Sequence, residues 1–303
     1  MSKRLLFLIA FSCATHVSLV CADEQAQFKR AFALAPSDHM ILDVEIGNGD
    51  VTVAYRHAGE ISIVATARSL DGKGVPDDFF QHSLKVERNG NHVEVRTLPG
   101  TAFSGRALKI SYAIDVPNWI EVNSKVESGK QSIAGVMGPV KIASGSGDIR
   151  VSYITTTLEA KTGKGNITVI RVGSAAKVET GAGNINMKDI GPASTATVVK
   201  GTGRIEMDGV SGSFSGSTDG GELDAKGGVF DDWDLKSVSG NIRIGVAVEQ
   251  KFDLDLATRS GALLIENDDV KVLPEKAREC LQEVNGGGKL VRARSESGTI
   301  FVR

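Results

Sequence analysis

The sequence predicts an all-β fold, a β-solenoid built from stacked rungs of about 18–21 residues. Three observations predict it: a short motif recurs at a near-constant period, the segments flanking each copy alternate in polarity, and glycine is abundant where proline and aromatics are scarce. The motif reads SGSGDIRV at 144–151, TGKGNITV at 162–169, TGAGNINM at 180–187 and KGTGRIEM at 200–207. Looser copies are TDGGELDA at 218–225, SVSGNIRI at 237–244 and TRSGALLI at 258–265, with outliers IGNGDVTV at 46–53 and SESGTIFV at 295–302. The second glycines fall at 147, 165, 183, 203, 221, 240 and 261, in steps of 18, 18, 20, 18, 19 and 21. The 35 glycines, against 7 prolines and 5% aromatics, fit many tight turns between short strands.

In chain order, residues 1–22 read as a signal peptide. Lys3 and Arg4 precede the apolar run Leu5 to Phe11, and VCA before Asp23 suits a cut after Ala22. The run is too short to span a bilayer, and no later stretch approaches the length needed. The mature chain is therefore expected to be exported, to the periplasm or the outer cell surface, without a transmembrane segment. Cys21 raises the alternative of a lipid anchor, but Val20 stands where that signal has a small residue, so a lipoprotein is not the preferred reading. Residues 23–38 are expected to form a flexible lead. Residues 39–117 carry less regular runs (ILDVEI, VTVAY, ISIVATA, LKVER, HVEVRTL and LKISYAIDVP) and read as an N-terminal β cap with the first, wider rungs. Residues 118–303 read as the repetitive solenoid. Within it, Ala277, Leu281 and Val284 at helical spacing around Cys280 predict a short helix-like insertion over 273–284. The segment 289–303 then returns as the last rung.

Period-two alternation places one set of residues inward: Ile142, Ile149 and Val151; Ala160, Ile167 and Val169; Val178, Ile185 and Met187; Val198, Ile205 and Met207; Leu235, Ile242 and Ile244. One unit is too short to bury that face, whereas stacked units bury it against their neighbours. The outward set supports stacking independently. Lys141, Glu159 and Lys177 are 18 apart in turn, as are Lys161 and Glu179, so opposite charges fall side by side on adjacent rungs. Later rungs look less tidy: Asp234 and Asp255 occupy equivalent places with no opposite charge between them. Glycine suits the corners because it accepts positive φ.

The chemistry this sequence excludes is as informative. Lys plus Arg total 35 and Asp plus Glu 37, a formal net charge of -2, which lacks the basic excess of a nucleic-acid binder. After signal removal only Cys280 remains, so no internal disulfide forms, and a small buried hydrophobe is its expected role. The residue after each corner glycine reads Asp148, Asn166, Asn184, Arg204, Glu222, Asn241 and Ala262. An arginine and an alanine spoil that column as a calcium ladder. Phosphate loops need glycines at the mouth of a helix, and these open strands. His39, His57, His82 and His92 lack metal-ligand spacing, so no metal and no cofactor are expected. The six-residue beat of hexapeptide acyltransferases is missing. Glu206 and Asp224 fall one rung apart and could be neighbours, but no base, nucleophile and orienter converge, so no catalytic residue is assigned. Trp233 falls at an inward position. Trp119, after VPN, falls at a turn, where it either packs on the cap or stacks on a sugar.

The segment YAIDVP, the tandem strand–S-G-x-G-[DN]-I–strand units and the closing GGG…SGTIFVR resemble the putative adhesin family of exported bacterial proteins. The resemblance runs from about residue 40 to the end. It implies a single-stranded, right-handed, β-helix-like fold in the cell envelope and brings no catalytic residues with it. The functional expectation is a non-enzymatic interaction module of the envelope. It would present polar strand ladders to a polysaccharide or an envelope protein, with no nucleic-acid partner, no single binding residue singled out and no oligomeric state indicated. Two other readings fit the residues, a carbohydrate-active enzyme of β-helix type and a purely structural envelope domain.

Overall fold

The structure, a computed structural model, describes residues 25–303 apart from 36–38, 57–58, 99–106, 192–193, 199–202, 211, 272–273 and 275. The expected signal peptide with Cys21, and His57, lie outside the described residues, as does the side chain of Val198. The N-terminal part comprises β1 (Gln25–Ala33), β2 (Ile41–Asn48), β3 (Asp50–Tyr55), β4 (Glu60–Ser69), the short helix α1 (Phe79–Ser83), β5 (Leu84–Asn89), β6 (His92–Thr97) and β7 (Leu108–Val116). Two-strand rungs follow: β8 (Glu121–Ser128) with β9 (Gln131–Ala134), β10 (Val140–Ser146) with β11 (Ile149–Ile154), and β12 (Leu158–Lys164) with β13 (Ile167–Val172). Next come β14 (Ala176–Thr180) with β15 (Ile185–Ile190), β16 (Ser194–Val198) with β17 (Ile205–Val210), and β18 (Phe214–Thr218) with β19 (Leu223–Gly227). The C-terminal rungs are β20 (Trp233–Ser237) with β21 (Ile242–Val246) and β22 (Phe252–Thr258) with β23 (Leu263–Ile265). They are followed by β24 (Glu279–Val284) and a rung of β25 (Lys289–Ser295) with β26 (Ile300–Val302).

Each rung gives one strand to each of two sheets. Among the described residues, sheet I runs β24-β22-β25-β20-β18-β16-β14-β12-β10-β8-β2-β6-β5, and sheet II runs β1-β4-β7-β3-β9-β11-β13-β15-β17-β19-β21-β26-β23. The repetitive rungs pair in parallel at the sequence period: Val140 faces Leu158 and Leu158 faces Ala176. The β-solenoid expected from the repeat is what the chain forms. Its inner faces meet in one core, and Ile142, Ile149, Val151, Ala160, Ile167, Val169, Val178, Ile185, Met187, Ile205, Met207, Leu235, Ile242 and Ile244 are all buried. Trp233 is among the largest fully buried side chains, and Trp119 packs half-buried against the same core.

The corner glycines answer two constraints at once. Gly165 sits at φ 143°, and a Cβ there would overlap the carbonyl of Gly147 one rung below. A column of buried hydroxyls seals the same corner. Thr162 donates to the Gly147 carbonyl at 3.1 Å and Thr180 to that of Gly165 at 2.9 Å. In the later rungs the hydroxyls of Thr218, Ser237, Thr258 and Ser295 accept the N–H of the glycine three residues on, at 2.8–3.1 Å.

Three expectations are corrected. Residues 25–33 of the expected flexible lead form β1, antiparallel to β4 from Gln25↔Arg68 to Ala33↔Glu60. The run QAQFKRAFA alternates enough to lay Phe28 and Phe32 against the core, and Phe28 meets Phe80 at 6.1 Å between ring centroids. The described part of the helix-like insertion is also no helix: it is a turn followed by the strand β24 over Glu279–Val284. β24 pairs antiparallel with β22, and Cys280 is buried opposite Leu256 while Leu281 is 82% exposed. Strand alternation therefore decides which residues of ECLQEV face in, not the helical spacing. Finally, segment 289–303 is not the outermost rung. β25 inserts between β20 and β22, and β26 between β21 and β23. Arg292 thereby stands between Asp234 and Asp255, supplying the opposite charge that sequence order hides.

Candidate functional site

The outer face of sheet I carries the longest ordered array of polar side chains. Alternate residues of its strands point outward, so register alone lines them up in columns. One column reads Glu94, Asp43, Asn123, Lys141, Glu159, Lys177 across β6, β2, β8, β10, β12 and β14. The next reads Arg96, Glu45, Lys125, Ala143, Lys161, Glu179. The charge pairs read from the sequence are in register. Lys161 and Glu179 meet at 2.8 Å, and Glu159 and Lys177 at 3.7 Å. Such exposed pairs are worth roughly 0.2–1 kcal/mol each, so they set register more than they set stability.

Ala143 is the short member of its column, and the gap it leaves between Lys125 and Lys161 opens a groove of about 670 Å³. One wall holds a contact the sequence does not announce. The Asp43 carboxylate meets His92 Nδ1 at 2.6 Å and accepts from Asn123 Nδ2 at 3.1 Å. These residues lie 49 and 80 positions from Asp43, in the irregular first rungs where no repeat signal runs. Glu45 lies 3.3 Å from Lys125 and 3.9 Å from Arg96. A second groove, of about 700 Å³, opens at the far end of the face around Lys236, Arg294, Ala257 and Glu279, where another alanine interrupts the same column. The arrangement offers charged and amide groups at strand spacing, roughly 4.8 Å apart, over two shallow depressions.

The other sequence candidates resolve into structural roles. Asp148 Oδ1 accepts the backbone N–H of Asn166, Asn166 Oδ1 that of Asn184, and Asn184 Oδ1 that of Arg204, at 2.8–2.9 Å. The corner column thus ties each rung to the next, its oxygens spent on backbone. Glu206 and Asp224 are register partners, as the spacing requires. Asp224, however, is only 2% exposed, with Oδ2 held by Arg204 at 3.1 Å and Lys226 at 3.3 Å. These cations make Asp224 a charge-balancing member of the ladder, while its Oδ1 is buried without a hydrogen-bond partner among the described residues. Burial pushes the Cys280 thiol above its ordinary value, against a smaller opposing hydrogen bond from Gln282. His82 lies 3.4 Å from Asp78 on α1, away from the groove. Among the described residues no cluster of His, Cys, Asp and Glu is arranged to hold a metal ion, and no helix is long and apolar enough to cross a membrane.

The family model Toastrack DUF4097 matches residues 43–303, from the first rung to the chain end. The chain belongs to the Toastrack family. None of the curated proteins is similar enough in sequence to count as a match. Among solved structures, a protein described as a "putative lipid binding protein" from Parabacteroides distasonis is 13% identical, covering 91% of this chain and 96% of that one with a TM-score of 0.50. A "putative adhesin" from Bacteroides fragilis is 12% identical over 92% and 97% of the two chains, with a TM-score of 0.43. A "putative cell adhesion protein" from Clostridium sporogenes is 10% identical over 91% and 99%, with a TM-score of 0.26. At these identities the likeness to the first speaks to the Toastrack fold alone.

Proposed function

We propose that this Toastrack protein is an exported, non-enzymatic interaction module of the cell envelope, adhesin-like in action. The outer face of sheet I presents its ladders to a polysaccharide or an envelope protein. One observation carries the reading: outward charges stand in register over successive rungs, and the Ala143 notch opens the array to a ligand. A surface with a fixed spacing complements a partner with a repeat, because each added rung adds a contact at the same interval. The mature chain is expected to bind in glycan-array or envelope pull-down screens, and Lys125→Glu with Lys161→Glu to weaken that binding at least tenfold. A mature chain that captures nothing in either screen, or a double variant that binds as well as wild type, sinks the proposal. Fractionation of cells carrying a tagged copy should place the protein in the periplasm or on the surface.

A second reading has one observation in its favour. The same groove holds Asp43, Glu45, Glu94 and Glu159 from three strands, the kind of acid set a glycan-cleaving enzyme uses. Their nearest groups are His92, Asn123, Lys125, Arg96 and Lys177, which arrange the carboxylates as ladder partners. Release of reducing ends from a bound glycan, abolished by Glu159→Gln, would favour the enzyme.

A further inference from the structure

The second strand of the middle rungs ends in a bulge at which one residue leaves the ladder. Ser152 pairs with Ile170 and Ile154 with Val172, skipping Tyr153 and Arg171, and the next two rungs skip Asp189 and Gly209 in the same way. Gly135 extends this column toward the N-terminus, and Tyr55, next to Ala54 in the paired register, stands in its first rung. The bulge requires left-handed backbone. Gly135 has φ 75° and Gly209 φ 72°, the residue type this conformation favours. Between them Tyr153, Arg171 and Asp189 adopt φ 58°, 58° and 54°. Asp tolerates that region, but tyrosine and arginine rarely enter it. Three consecutive rungs thus carry side chains where the backbone would be more relaxed with glycine, and strain of that kind concentrates where a side chain is put to use.

The side chains also form a braced, outward strip. The Arg171 guanidinium lies 5.3 Å from the Tyr153 ring centroid, and its Nε is 3.5 Å from Asp189 Oδ2. Tyr153 is 56% exposed and Tyr55 46%, with exposed Met137 beside the bare Gly135 between them. Tyr55 and Tyr153 are two strand steps apart, roughly 9.6 Å. The adjoining turn column reads Met137, Thr155, Gly173 and Gly191, so beyond Met137 it is made of small residues and the strip is narrow there.

We propose that Tyr55, Tyr153, Arg171 and Asp189 form a saccharide-stacking strip along this corner of the solenoid. A β-1,4-linked glycan would run across the rungs, with pyranose faces on Tyr55 and on the Tyr153 face that Arg171 leaves uncovered, and hydroxyls on Arg171 and Asp189. The inference rests on the interaction-module reading and adds a ligand class and a second surface, apart from the sheet I grooves. A strip this narrow cannot supply the roughly 800 Å² per partner of a stable protein interface. Aromatic rings set apart by a glycine do suit a chain whose apolar ring faces recur at a disaccharide repeat.

Glycine variants separate strain from use. Calorimetric titration of the mature chain with β-1,4-linked hexasaccharides of glucose and of N-acetylglucosamine should show binding to at least one. Tyr153→Gly should melt at a higher temperature than wild type and bind that sugar at least tenfold more weakly. Tyr55→Ala should weaken binding as well, without the rise in melting temperature. A Tyr153→Gly chain that binds as wild type does, or that melts lower, overturns the proposal, as does a wild-type chain that binds neither hexasaccharide. If sugar binding survives Tyr153→Gly but is lost in the Lys125/Lys161 double variant, the strip falls and the ladder-face reading stands. If only an envelope protein is captured, the strip falls while the protein arm of that reading remains.

Discussion

Gly165 shows what a single position must satisfy in this fold. Its φ of 143° lies where an L side chain is strained, and the space a Cβ would need is already filled by the Gly147 carbonyl. Neither constraint can be relaxed alone, because moving the corner away from Gly147 breaks the hydrogen bond from Gly147 N–H to the Lys164 carbonyl. Gly165→Ala is therefore expected to destabilise the protein by about 2–4 kcal/mol, at the upper end of what one substitution does. Chemical denaturation would check it, and a loss below about 0.5 kcal/mol, the size of an ordinary surface change, would refute the double constraint. The need for glycine here was legible from the repeat. What the residues alone did not show was where the polar side chains of the motif go. The column Asp148, Asn166, Asn184, Arg204 already argues against a calcium ladder, but it does not show that Asp148 Oδ1 and Asn166 Oδ1 accept the N–H groups of the next rung. The hydroxyl before the glycines, Thr162 or Thr180, carried no signal in the sequence beyond its recurrence, yet it is buried and bonded.

At the scale of the strand, β25 is the element whose placement explains most. Sequence order puts it last, but pairing puts it between β20 and β22, and electrostatics follow the pairing. Asp255 lies 2.6 Å from Arg294 and 3.2 Å from Arg292. Chiefly the Arg294 hydrogen bond, helped by Arg292 and opposed by partial burial, holds its carboxyl below the ordinary carboxylate range. A lowered folded-state value means that the ionised form stabilises the fold at pH above about 3.9, the unfolded value, and that this contribution is lost as pH falls through the folded value. Asp255→Asn should thus lower the melting temperature at neutral pH, and the gap from wild type should close as the solution is acidified below pH ~4. A gap that stays constant with pH would show that the pair contributes packing and no charge. The two misjudged elements, β1 and β24, share a physical cause. Both are antiparallel strands at a sheet end, outside the repeat, where local pattern is ambiguous and the partner decides. Repeated strands were legible because each has a copy of itself as partner.

For the whole molecule, the stacking of rungs makes stability nearly one-dimensional, since each rung touches only its neighbours. The C-terminal insertion then has a consequence that sequence order would never give. Among the described residues, strands β22 and β23 pair with the body of the solenoid only through β25 and β26, and β24 only through β22. A chain ending at Gly288 lacks the bridging rung but retains every residue of β22–β24. If the segment followed β20 and β21 directly, as the repeat count predicts, this truncation would remove an outer rung and leave residues 247–288 protected. In the observed order the segment loses its parallel partners along both sheets, while β20 and β21 keep their inner partners β18 and β19. Limited proteolysis of the truncated chain is accordingly expected to release 247–288 rapidly and to leave a resistant core ending near Val246. The full-length chain should resist cleavage across both regions under the same conditions. Uniform protection of the truncated chain would mean that β22 can dock directly on β20. The opposed carboxylates of Asp234 and Asp255 disfavour that contact, because they would face each other with Arg292 gone.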